Sequence, residues 1–143
     1  MSLDVAARFA ALQMVQPLDA QARALVQGRR SLEDELAVLQ QKAADTASFN
    51  PLAWVDWARA RGEARQLRED LRRDPARMQH KPLLGAWISV KDLFQLEGAP
   101  MAAGTRAPLP MLPPQDSAVV RRLREAGALV FAKTNMHEIA LGA

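Results

Sequence analysis

A lysine closes the run Gly85-Ala86-Trp87-Ile88-Ser89-Val90-Lys91-Asp92-Leu93-Phe94, and it is the residue whose placement most invites chemistry. Lysine is rarely buried, because its ammonium loses heavily on leaving water. An amine held in apolar surroundings gives up its proton more readily and can then serve as a neutral base in acyl transfer. The run therefore makes Lys91 a catalytic candidate in an apolar setting at the end of a short strand; on the residues alone, a strand-end lysine reaching out to water is the commoner arrangement. A second segment, Lys133-Thr134-Asn135-Met136-His137-Glu138, gathers polar groups further along the chain. Neighbours on one helix do not face each other, which argues against His137 and Glu138 as an acid–base pair. Asn135 is expected to tie its segment to neighbouring backbone, and Asp92 to hydrogen-bond the turn after Lys91.

Composition narrows the chemistry further. The 143 residues suffice for one domain with a sizeable core, at 49% hydrophobic and 24% charged. The absence of cysteine excludes disulfides, thiolate metal sites and a cysteine nucleophile. Two histidines, His80 and His137, make a histidine-rich zinc site implausible. No apolar run approaches membrane-spanning length and no signal peptide is evident, which predicts a cytoplasmic protein without membrane contact. The net charge of +3 is mild. Its excess lies between Arg59 and Lys81, where arginines outnumber acids. A solvated helical face with pairs such as Glu69–Arg73 is favoured there over a nucleic-acid surface, since no aromatics interleave.

The elements that must hold these groups divide the chain near residue 80. Residues 1–80 read as a helical region. Leu3, Ala7, Ala10 and Met14 form one stripe. A short helix through Ala22 and Leu25 stops near Gly28, and a longer one follows Ser31 as its cap, with Leu32, Leu36 and Leu39 in register. Leu52-Ala53-Trp54-Val55 suits a short strand. Trp57, Ala60, Ala64, Leu67 and Leu71 then restore helical spacing, ended by Asp74-Pro75. Residues 81–143 change character: a strand at 87–90, a proline-rich loop at 98–114, a helix capped by Asp116 and ended by Gly127, and an apolar run at 128–132. Strand, helix and strand at this spacing predict parallel pairing with a right-handed crossover, in a sheet covered by helices.

Several of these residues belong to one longer pattern. Pro82-Leu83-Leu84-Gly85, Ile88-Ser89-Val90-Lys91-Asp92-Leu93-Phe94, Gly98-Ala99-Pro100 and Ala103-Gly104-Thr105 are followed by Asp116-Ser117-Ala118-Val119-Val120, Leu123-Arg124-Glu125-Ala126-Gly127-Ala128 and Lys133 to Glu138. In order and spacing this resembles the amidase signature family over 82–142. Phe49-Asn50-Pro51-Leu52-Ala53 with the helix after it loosely resembles that family's N-terminal region. The fold implied is α/β: a helical N-terminal region, then the first strands of a mixed sheet flanked by helices, an incomplete amidase-signature fold. The activity implied is cleavage of a small-molecule amide by a nucleophilic serine, a second serine in a cis peptide, and a lysine that corresponds to Lys91, with no metal or organic cofactor. Met136 and Thr105 are the further candidates for substrate contact.

Both family serines are missing from the pattern. The serines present are Ser2, Ser31, Ser48, Ser89 and Ser117, none in a Gly-Ser-Ser-Gly setting. Ser89 shares the strand face of Lys91, since side chains alternate, but nothing beside it supplies an oxyanion hole. The isolated chain is accordingly expected to be inactive, with a complementary piece carrying the serines, the rest of the fold, as its natural partner. The alternative is a non-enzymatic remnant. Its last strand is expected to be an exposed, pairing-prone edge. Trp87 and Met101 stand where the family usually has a small residue or proline and a threonine, which suggests either a specialised pocket or a relaxed sequence.

Overall fold

A computed structural model describes residues 16–107, 109 and 115–141. The stripe expected from Leu3 to Met14 lies outside them. Helix α1, Leu18–Val26, follows Pro17 and ends before Gly28, whose φ of +67° is cheap only for glycine. Helix α2, Leu32–Asp45, starts at Ser31, whose hydroxyl accepts the Asp34 N–H at 3.2 Å. Strand β1, Leu52–Val55, leads into helix α3, Trp57–Arg73, which Asp56 caps through the Arg59 N–H at 2.9 Å. Pro75 then opens a single helical turn, α4, Pro75–Met78, as proline's fixed φ favours.

Strand β2, Trp87–Lys91, helix α5, Ala118–Glu125, and strand β3, Leu129–Thr134, form the parallel crossover that the spacing predicted. Asp116 is not the cap of α5. Ser117 is, with its hydroxyl accepting the Val120 N–H, while Asp116 accepts the Glu97 N–H and pairs with Arg124 at 2.9 Å. The helix begins one residue later because the carboxylate is recruited to fasten the loop behind it.

The sheet is mixed and runs in the order β1-β3-β2, with β1 antiparallel to β3. The last strand is therefore central, and the expectation of an exposed edge at β3 is wrong: β1 and β2 flank it. Segments 1–80 and 81–143 share this sheet, because β1 comes from the first and β2 and β3 from the second. β3 is buried on both sides, as its unbroken apolar run requires. Leu129 packs with Leu25, Leu32, Ala64 and Leu71 from the first three helices. Val130 packs with Val90, Leu96 and Val120 on the α5 side.

A bulge in β3 sets what points where. Ile88 pairs with Val130 and Ser89 with Ala132, leaving Phe131 extra. Its ring stacks on Trp57 at 5.7 Å and meets the edge of Trp87 at 6.1 Å. Trp87 also donates its indole N–H to Glu35 at 3.1 Å, and Glu35 is paired with Arg30, which donates to Gly85 O at 2.8 Å. That network fastens α2 to the start of β2. The arginine face of α3 carries ion pairs to its neighbours: Arg68 with Glu33 at 2.7 Å, and Arg59 with Glu63. Arg73 pairs with Asp70 at 3.9 Å rather than with Glu69.

Candidate active site

The carboxyl ends of parallel strands are where α/β proteins gather reactive groups. Here the ends of β2 and β3 carry Lys91 and Thr134, aligned as partners in the register. Lys91 is exposed, so the apolar setting expected for it is absent. The reason is its position: strand alternation puts it on the face of Trp87 and Ser89, at the end of the edge strand of the described sheet. Ser89 is exposed on the same face. Ser31 and Ser117 are occupied as helix caps.

The buried lysine is a different one. Lys133 is 0% exposed and aligned with Val90, on the opposite face. Its ammonium meets Asp92 Oδ1 at 2.5 Å and donates to Pro100 O at 2.8 Å. Asp92, itself 3% exposed, accepts the Ala102 N–H through Oδ2 at 3.1 Å, the turn-fixing role expected of it. Sequence reasoning missed Lys133. The available signal was the run Ala128–Ala132 leading straight into a lysine: a charge carried into a two-sided strand needs a buried counter-charge, and Asp92 on the next strand supplies it.

Two loops close over this pair. Thr105 is buried, donates its hydroxyl to Glu138 Oε1 at 2.6 Å and accepts the Ala107 N–H at 3.0 Å. Ile139 N–H reaches Ala103 O at 2.8 Å. Contact is so close at Gly104, with φ +70°, that a Cβ there would lie 2.6 Å from Met136 O. Met136 is half-buried on the second loop. Asn135 ties that loop to β1, donating through Nδ2 to Asn50 O at 2.6 Å and through its backbone N–H to Pro51 O at 2.9 Å. Ala103, Ile139 and Ala140 all have positive φ, and at a β-branched Ile139 this is real strain. Thus Thr105 and Met136 are brought together with the end of β3, while Lys91 emerges on the other face of β2.

Trp87 lines a cleft of about 450 Å³ with Leu18, Val38 and Leu39. It lies at the start of β2, four residues from Lys91, or about 13 Å along the strand. Among the described residues no group of three or more His, Cys, Asp or Glu is placed to hold a metal ion. No helix there is long and apolar enough to cross a membrane.

The arrangement is a mixed sheet between helices, with a lysine at one strand end and a double loop beside it. A crystal structure of an amidase matches it with a TM-score of 0.77 at 49% identity, over 89% of this chain and 28% of that one. The native peptide amidase of Stenotrophomonas maltophilia matches with a TM-score of 0.73 at 28% identity, over 87% of this chain and 25% of that one. A glutamyl-tRNA(Gln) amidotransferase chain of Oleidesulfovibrio alaskensis is 35% identical over 128 residues, 89% of this chain and 25% of that protein. The family model named Amidase matches residues 36–143. The chain belongs to the amidase family. It spans about a quarter of the length of these three relatives.

Proposed function

We propose that this chain is the lysine-bearing part of an amide-cleaving enzyme, with Lys91 as general base in a Ser–cisSer–Lys mechanism. The observation that carries the reading is the exposed Lys91 at the carboxyl end of β2, on a strand whose outer edge is unpaired in the described sheet. A side chain so placed is free to reach groups arriving from beyond that edge. Its amine would take a proton from the hydroxyl of the cis serine, which in turn takes one from the nucleophilic serine. The serine oxygen would add to the amide carbonyl, and the protonated lysine would return its proton to the leaving nitrogen. Water would then add to the acyl carbon and free the carboxylic acid and the serine; in an amidotransferase the ammonia released in the first step would pass on to an acceptor. Met136 and Thr105 would shape the substrate side of the loops, Thr105 through its bond to Glu138.

The chain supplies neither serine in the family's setting, so by itself it should not turn over. A remnant with no enzymatic role is the competing reading. One experiment separates them: assay the purified chain for ammonia release from simple aliphatic and aryl amides, alone and mixed with a family segment carrying the two serines. Activity only in the mixture supports the proposal. Activity of the chain alone, or none in a mixture that demonstrably forms a complex, contradicts it.

A further inference from the structure

The serine–lysine mechanism leaves the buried Asp92–Lys133 pair without a task. Replacing such a pair by apolar side chains of similar volume is often neutral in stability or better, so its presence is poorly explained by stability alone. What an ion pair supplies and apolar contact does not is direction. Asp92 is held at three points: its N–H donates to Thr134 O at 3.2 Å, Oδ1 meets Lys133 Nζ, and Oδ2 accepts the Ala102 N–H. Lys133 adds the bond to Pro100 O. Lys91 sits between this anchored residue and Val90, which is 6% exposed in the core. Its backbone is fixed from both sides while its side chain stays free.

We propose that Asp92 and Lys133 are positioning residues for Lys91: they pin the strand end from which the base projects to β3 and to the Pro100–Thr105 loop. The proposal rests on Lys91 being the base. Neither member of the pair is itself an acid or base in the reaction, since both are sealed on the face opposite Lys91. Through Thr105–Glu138 and Ile139–Ala103 the same pin also holds the second loop.

The test is the double variant Asp92→Leu/Lys133→Met, which removes direction but keeps apolar volume. Hydrogen exchange on the 143-residue chain reads the pin without any need for activity. The amides of Asp92, Thr105 and Ile139, none bonded to a removed group, should exchange at least about tenfold faster, while Leu36 and Ala64 keep their rates. Unchanged rates at the three sites overturn the proposal. Should the double variant not fold, Asp92→Asn/Lys133→Met, which leaves no charge behind and keeps an acceptor for the Ala102 N–H, should show the same loosening to a smaller degree; unaltered exchange there overturns it equally. In the active mixture the double variant should lower kcat by about 100-fold with KM within about twofold, as misplacement of a reacting group by an ångström does. An unchanged kcat overturns the positioning role. Full activity of Lys91→Ala would instead remove the base reading, leaving the exchange result intact.

Discussion

Lys133→Met is the perturbation whose cost the structure fixes most tightly. The methionine fills most of the lysine stem's volume, so no large cavity opens. What disappears is the ammonium, with its 2.5 Å contact to Asp92 and its 2.8 Å bond to Pro100 O. Asp92, 3% exposed, would keep a hydrogen bond from Ala102 but lose its counter-charge. Breaking a buried pair from one side costs about 3–5 kcal/mol, because the remaining charge is stranded. That is a large share of the roughly 5–15 kcal/mol that holds a domain together. The double variant with Asp92→Leu should recover most of it, since no charge is left behind. Urea unfolding followed by tryptophan fluorescence measures both, with equal slopes licensing comparison of midpoints. A loss below about 1 kcal/mol for Lys133→Met, or a double variant no better than the single, would refute the reasoning, for the pair would then be hydrated.

Other substitutions follow from local geometry. Gly62 lies inside α3 with nothing within 4 Å of where a methyl group would sit, so Gly62→Ala should raise stability by about 1 kcal/mol in the same unfolding assay. Gly104→Ala should do the opposite, by about 1–3 kcal/mol, because a positive φ and a backbone oxygen at 2.6 Å both oppose the new methyl. At the surface, the Arg23 hydrogen bond, aided by the Ala20 N–H, holds the Asp19 carboxyl below its ordinary value. A depressed carboxylate pKa adds stability above its unfolded value, and that stability is lost as pH falls through the folded one. Arg23→Ala should raise the Asp19 titration midpoint seen by NMR; an unmoved midpoint would contradict the assignment.

The sheet and its helices were legible because periodicity and breakers agreed along most of the chain. Ser31 and Gly28 bounded their helices as their chemistry demands, and the Ala128–Ala132 run announced a strand buried on two faces. Strand order was harder to read. Nothing local in Leu52–Val55 says that it pairs antiparallel to β3 and so makes the last strand central. At the site, composition pointed to one lysine in an apolar place, and the place was right for the wrong residue. Lys91 and Lys133 both end apolar strands; only the register, aligning Lys133 with Val90 over Asp92, decides which is sealed. The Asp116 misreading has a similar cause. Two adjacent residues could cap α5, and the choice was made by the other partners of Asp116, the Glu97 N–H on the preceding loop and Arg124 in the helix.

The proposed role of Lys91 in serine-dependent amide hydrolysis is open to a single comparison. The most direct measurement is the rate of ammonia release by the mixture of this chain with the serine-bearing segment, compared with the same mixture made from Lys91→Ala. The variant should still form the complex, and its kcat should fall by about 100-fold or more, the contribution expected of a general base. A Lys91→Ala mixture that works as well as the original would contradict it.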